Sequence, residues 1–197
     1  MSSLAILILT KNEEDNVVDV VENAKKCTDE VLIIDSGSTD KTVELAKEHG
    51  AKVCFRAWTD DFAAQRNFAL EQTTADWVLY LDADERLNDE LIRSIEAVVD
   101  EEKLDCQFSM ERKSVAFGTK FNHGVLKPDH VARMFPRTTV TWVHKVHEHP
   151  ECDLPLRFLP GHIEHYTYKN WHHWEGKLCQ YTTCLLYTSD AADERSS

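Results

Sequence analysis

The chain has 197 residues, 42% of them apolar, which suffices for one domain with a sizeable core. Its formal net charge of −13 excludes the broad basic surface that nucleic-acid phosphates or anionic membranes require. No apolar run is long enough to span a bilayer, and residues 1–3 lead straight into a strand-like run without the basic start and long apolar stretch of a signal peptide, so a cytosolic protein is expected.

The first hundred residues alternate strand and helix patterns. Residues 4–9 read as a buried strand, after which Asn12 is expected to cap a helix with Glu13, Glu14 and Asp15 in its first turn. Val17, Val20, Val21 and Ala24 give that helix an apolar stripe, and Lys25 and Lys26 suit its C-terminal end. Residues 31–34 form a second strand ending at Asp35. The turn Ser36, Gly37, Ser38, Thr39, Asp40 then opens a helix that Gly50 stops. Residues 51–55 are a third strand, 61–73 a helix and 77–81 a fourth strand. Asn88 caps a helix carrying Leu91, Ile92, Ile95 and Val98. This order predicts an α/β fold, a Rossmann-like, mostly parallel sheet flanked by helices.

After residue 103 the pattern changes. Cys106, Phe108 and Met110 alternate with polar residues as in a half-exposed strand, and short strands are expected at 131–135 and 156–159. Residues 1–103 are therefore expected to be a nucleotide-binding half, and 104–183 a more irregular half of the same domain that holds the other substrate. Six cysteines (Cys27, Cys54, Cys106, Cys152, Cys179, Cys184) are scattered without a Cys-x-x-Cys pair, as reduced thiols would be. Lys169, Trp171, His172, His173, Trp174 and Lys177 form a local cluster that suits peripheral contact at the inner face of the cell membrane, or equally the packing of a terminal helix. Residues 184–197 look foreign: they resemble an in-frame translation of a sequencing adapter, so a non-native tail on a fold truncated at its C-terminus is expected, with an ordinary polar tail as the plain alternative.

In open parallel sheets, ligands gather beyond the C-terminal strand ends. Thr10, Asp35 and Asp82 all sit at such ends, so three segments converge on one crevice. Asp82 and Asp84 are spaced i and i+2 at the close of a strand, and strand alternation is expected to direct both carboxylates to one face. Two like charges there favour a divalent cation that also meets phosphate oxygens; a solvated acidic turn, with Glu85 as a third exposed acid, is the plain alternative.

Three motifs stand in order: Ile8-Leu9-Thr10-Lys11-Asn12-Glu13-Glu14, then Ile33-Ile34-Asp35-Ser36-Gly37-Ser38-Thr39-Asp40, then Leu81-Asp82-Ala83-Asp84-Glu85. Together they resemble the family 2 glycosyltransferases of GT-A fold. Gln65-Arg66-Asn67 and Val146-His147-Glu148 make the chain similar to the branch containing lipopolysaccharide core β-1,4-glucosyltransferases, over about residues 4–183.

The resemblance implies a sugar nucleotide held without a Gly-rich phosphate loop. Thr10, Asn12 and Glu13 would contact the nucleoside and Asp35 the base, where a carboxylate can accept the imide N–H of uracil. On the residues alone, Glu13 and Glu14 equally favour a helix start and Asp35 a turn. Asp82 and Asp84 would hold Mg²⁺ or Mn²⁺ against the diphosphate, with His165, or else His162, as a third contact by analogy with GT-A enzymes that use a late histidine. Arg66 would steady the phosphates or orient Asp82; a surface ion pair is the alternative. Glu148 would be the general base that takes the acceptor hydroxyl's proton. His144-x-x-His147-Glu148-His149 does not match a zinc-protease spacing.

The activity implied is inverting, metal-dependent transfer of a hexose, glucose from UDP-glucose, onto a lipopolysaccharide core or related glycan or glycolipid acceptor. The rivals are a catalytically silent sugar-nucleotide-binding module and a two-carboxylate glycoside hydrolase. The hydrolase needs its acids on opposite sides of a bond, whereas Asp82 and Asp84 are neighbours.

Overall fold

The structure, a computed structural model, describes residues 2–145 and 147–168. The cluster from Lys169 to Lys177, Cys179, Cys184 and the tail 184–197 lie outside the described residues.

The strands and helices follow in the order β1 (Leu4–Thr10), α1 (Val17–Ala24), β2 (Glu30–Asp35), α2 (Thr42–Glu48), β3 (Lys52–Phe55), α3 (Phe62–Glu71), β4 (Trp77–Asp82), β5 (Glu85–Leu87), α4 (Asp89–Asp100) and β6 (Gln107–Ala116). Then come β7 (Thr119–Lys120), β8 (Asp129–Pro136), β9 (Thr141–Val143), β10 (His149–Glu151) and β11 (Leu156–Tyr168). Nine of the strands form one sheet in the order β3-β2-β1-β4-β8-β6-β11-β5, with β7 against β6, while β9 and β10 make a separate hairpin.

Alternation along the central strands builds two cores, one on each face. Leu4, Ile6, Ile8, Ile33, Leu79 and Leu81 pack beneath Val17, Val20 and Val21 of α1 and Leu91, Ile92 and Ile95 of α4. Ala5, Leu7, Leu32, Ile34, Val78 and Tyr80 face the other way, toward Ala63 and Ala69 of α3 and the aromatic pair Phe135 and Trp142. One helix therefore has a face of the parallel sheet largely to itself, and that helix carries Gln65, Arg66 and Asn67.

The sheet is parallel from β3 through β4, and the two halves distinguished in the sequence are joined within it: β8 pairs antiparallel with β4 and with β6, and β11 runs parallel to β6. The later half is thus more regular than its sequence implies. Phe108 and Met110 are buried along with Ser109 between them, because β6 lies inside the sheet rather than half-exposed. Asp82 and Glu85 are three Cα steps apart, at most about 11 Å, yet β4 and β5 are separated by four strand spacings, about 19 Å if the sheet were flat. The sheet must curl, and the curl brings the second half's side chains over the end of β4.

Two local expectations change. The first helix begins at Val17, with Asn16 at its N-cap, and Asn12 caps nothing: at φ +57° it turns back so that its Oδ1 accepts from the Thr39 N–H at 2.8 Å. The strand carrying the acidic motif stops at Asp82, and Ala83 and Asp84 form a turn, so the strand's alternation does not extend to Asp84.

Candidate active site

Thr10 and Asp35 are register partners at the ends of β1 and β2, and Leu9 pairs with Asp82 at the end of β4. The three strand ends therefore lie side by side. Both Thr10 and Asp35 are buried. Asp35 accepts from the Gly37 and Ser38 N–H groups at 2.9 Å each, from the Ser38 hydroxyl at 2.5 Å and from the Thr10 hydroxyl at 3.2 Å. Those four donors fill the acceptor sites of a carboxylate. A base imide reaches Asp35 only by displacing one of the hydroxyls. Glu13 lies where the same loops meet, its backbone N–H donating to Thr42 Oγ1 at 2.7 Å and its carboxylate accepting from Asn16. Beside this turn the ring of Phe55, at the C-terminal end of β3, is 67% exposed, and a Cβ at Gly37 would come within 3.7 Å of it.

The acidic motif splits. Asp82 faces two guanidinium groups: Arg66 Nη2 donates to Oδ1 at 3.1 Å and Arg133 Nη2 to Oδ2 at 2.8 Å. Asp84 instead lies against His165, with Nε2 3.4 Å from Oδ2. The turn after Asp82 is the physical reason the two carboxylates part. Arg66 is not a surface residue: only 5% of it is exposed, and its guanidinium lies 4.6 Å from the Trp142 ring centroid. The same Nη2 sits 3.5 Å from Glu148 Oε1, so one guanidinium joins the strand-end aspartate to the expected base. His144 and His147, by contrast, are exposed.

Glu85 is fully buried, which corrects its reading as an exposed third acid. It accepts from the Asp82 N–H at 3.0 Å and from Arg133 Nη2 at 2.9 Å, with Arg112 Nη1 at 3.5 Å. Arg112 is held from the other side by both oxygens of Asp129. Burial alone raises the Asp82 carboxyl, but Arg133 and Arg66 outweigh it and hold it well below the ordinary carboxylate range. Burial raises Glu85 as well, and there it prevails over the pull of Arg133.

Arg133 was not singled out from the sequence, and a β-bulge explains why. On β8, Met134 pairs with Phe108 and Ala132 with the next residue, Ser109, leaving Arg133 as the extra residue between them. Val131 and Met134 then pack with one core while Ala132 and Phe135 pack with the other. Bulges break alternation in this way and re-aim a side chain.

Arg66, Asp82, Arg112, Arg133, Trp142 and Glu148 line a cavity of about 270 Å³. A larger cleft of about 640 Å³ runs along α1, but Asp15, Asp19, Glu22, Asp89 and Glu164 there outnumber Arg86 and Lys26, a poor setting for a diphosphate. No three His, Cys, Asp or Glu side chains converge as a metal cage among the described residues. Asp84 and His165 still fit a divalent ion that takes its other ligands from water and substrate phosphate: a carboxylate oxygen and an imidazole nitrogen suit Mn²⁺, and the oxygen suits Mg²⁺. Asp82, committed to two arginines, does not fit that set. His162, 16% exposed, is turned to Asn88 through Nδ1 at 3.2 Å.

A family model described as glycosyl transferase family 2 matches residues 5–146. An uncharacterized glycosyltransferase of Rickettsia typhi is 42% identical over 98 residues, 50% of this chain and 33% of that protein. The lipopolysaccharide core biosynthesis glycosyltransferase LpsC of Rhizobium meliloti is 35% identical over 106 residues, 50% of this chain and 38% of that protein. The chain spans about a third of the length of these curated relatives. Among solved structures, S. aureus TarS 1-349 in complex with UDP superposes with a TM-score of 0.51 at 20% identity, covering 69% of this chain and 47% of that one. Glucosyl-3-phosphoglycerate synthase of Mycobacterium tuberculosis, in complex with Mn²⁺, UDP and glucosyl-3-phosphoglycerate, gives 0.50 at 18% identity, covering 70% and 57%. At these identities the structural likeness speaks for the fold alone.

Proposed function

Because this chain belongs to glycosyl transferase family 2 and has the GT-A fold, we propose that it forms the donor-binding and catalytic part of an inverting glycosyltransferase. The donor is a nucleotide sugar, UDP-glucose, and the acceptor a lipopolysaccharide core or related glycan. The observation that carries this reading is the shared guanidinium of Arg66, which sets Asp82 and Glu148 on one cavity. The relative LpsC, named for lipopolysaccharide core biosynthesis, supports the acceptor class, and the UDP complexes among the structural neighbours support the donor.

Inversion is a single in-line displacement. Glu148 takes the proton from the acceptor hydroxyl, whose oxygen attacks the anomeric carbon as the nucleoside diphosphate departs. Thr10, Asn12, Glu13 and the turn held by Asp35 receive the nucleoside. Arg66 keeps Glu148 and Asp82 in fixed relation, and Asp82, held ionised by Arg66 and Arg133, accepts sugar or ribose hydroxyls rather than protons. Asp84 and His165 would hold Mg²⁺ or Mn²⁺, which offsets the negative charge of the departing diphosphate when bound.

A donor screen with Mn²⁺, scoring nucleoside diphosphate release with and without a core-oligosaccharide acceptor, tests the reading. Release that requires the acceptor supports transfer; binding without turnover supports a silent module instead. In the same preparation, Glu148→Gln keeps shape but cannot take a proton. Turnover is expected to fall roughly 10²–10⁴-fold with UDP affinity unchanged. Near-normal turnover would move the base elsewhere, with Asp129 and Glu164 next to be tried.

A further inference from the structure

Gln65, Arg66 and Asn67 are consecutive on α3, and successive helical side chains project about 100° apart. They fan out to three different parts of the site. Gln65, fully buried, donates through Nε2 to Ser36 Oγ at 2.9 Å and to the Arg56 carbonyl at 3.0 Å. Ser36 opens the turn that Asp35 organises, so Gln65 fastens the strand-end loops of β2 and β3. Arg66 joins Asp82 to Glu148.

Asn67 grips the backbone of Trp142 from both sides. Its Nδ2 donates to the Trp142 carbonyl at 2.8 Å, and its Oδ1 accepts the Trp142 N–H at 2.9 Å. Across the β9–β10 hairpin, Trp142 faces Pro150, which has no N–H to give. Trp142 directs both backbone groups to Asn67, which stands in for a neighbouring strand. Glu148 immediately precedes β10 in the loop that this hairpin closes. Fixing Trp142 therefore fixes the base of the arm on which Glu148 is carried.

We infer that Gln65 and Asn67 are positioning residues with separable duties: Gln65 sets the nucleotide-facing turn, and Asn67 sets the hairpin that brings Glu148 to the cavity. The inference rests on the nucleotide-sugar reading above, and it deepens that reading by dividing donor placement from base placement within one helical turn. Catalytic groups need placement to within a fraction of an ångström, so a clamp that touches no substrate still governs rate.

The test compares Gln65→Met, which keeps bulk without a donor, and Asn67→Ser with the unsubstituted full chain. Three readouts are used: UDP affinity by calorimetry with Mn²⁺, amide exchange, and turnover of UDP-glucose with the core-oligosaccharide acceptor. Gln65→Met is expected to weaken UDP about 10-fold and speed exchange at Gly37 and Ser38, leaving the Trp142 amide protected. Asn67→Ser is expected to release the Trp142 amide, keep UDP affinity and donor KM within about twofold, and lower kcat about 10–100-fold. If Gln65→Met does not fold, Ser36→Ala removes its hydroxyl partner without touching α3 and is expected to weaken UDP in the same direction. Failure of the unsubstituted chain to bind UDP overturns the nucleotide reading. Normal binding there, with both variants moving the readouts alike or not at all, overturns the division of duties alone.

Discussion

Replacing Arg133 by Met removes the cation that joins the half-buried carboxylate of Asp82 to the fully buried one of Glu85. Its Nη2 lies 2.8 Å from Asp82 and 2.9 Å from Glu85, and Glu85 has no exposed surface from which to recruit water. Breaking a buried pair by deleting one partner costs about 3–5 kcal/mol, because the other charge stays behind unpaired. Arg66 still holds Asp82, and Arg112 remains 3.5 Å from Glu85, so the lower end, about 3 kcal/mol, is expected. For a domain of this size that corresponds to a fall in Tm of roughly 6–12 °C. Adding Glu85→Gln to Arg133→Met removes the stranded charge and is expected to recover about 2 kcal/mol. Urea denaturation of the parent, both single variants and the double variant at pH 7 gives the cycle. A loss below about 1 kcal/mol for Arg133→Met, or strictly additive losses, would refute the view that this network is a buried, mutually dependent unit.

Three further outcomes are expected. In Gly161→Ala, at φ +94°, the added Cβ would lie 2.3 Å from the Leu91 nitrogen, so a loss of about 3 kcal/mol or more in urea denaturation is expected; a loss under about 1 kcal/mol would show that α4 yields freely. Phe55→Ala is expected to weaken UDP by about 1–3 kcal/mol of lost base stacking, with Phe55→Trp retaining affinity; calorimetry showing equal affinity for all three removes Phe55 from the base site. Hydrogen bonds from the Ser3 N–H and hydroxyl hold the Asp76 carboxyl below its ordinary 3.8, so its stabilisation is present above that pH and is lost as pH falls through the lower folded value. The Tm difference between parent and Asp76→Asn is accordingly expected to shrink on acidification below about pH 4, and a constant difference would count against the assignment.

Much of the first half was legible because its physics is local. The run from Leu4 to Thr10 is buried almost throughout, as a central parallel strand demands, and Asn88 caps α4 by accepting from the Leu91 N–H as its position implied. Asn12 misled because Asn followed by acids is a good helix start on its own. Here it serves a partner 27 residues away, where Thr39 supplies the donor. No helix among the described residues is long and apolar enough to cross a bilayer.

Sequence by itself determined the strand–helix alternation, the two apolar faces of the central strands, and the convergence of Thr10, Asp35 and Asp82 at adjacent strand ends. Periodicity and parallel pairing are enough to dictate those. An Arg66–Asp82 contact was among the expectations the motifs raised; tertiary structure alone decided that Arg133 joins it and that Asp84 parts from Asp82. The turn at Ala83 and Asp84 sends Asp82 to Arg66 and Arg133 and Asp84 to His165. The bulge at Arg133 and the curl that returns β5 to β11 bury Glu85, a residue whose composition predicts exposure. Neither device has a signature in a short window of residues: the bulge arises where β8 pairs with β6, about 25 residues away in sequence, and the burial of Glu85 where β5 pairs with β11, 76–80 residues away. The ionic partners of a buried carboxylate are set by that pairing, since in a low-dielectric interior only the neighbours the fold supplies can hold its charge.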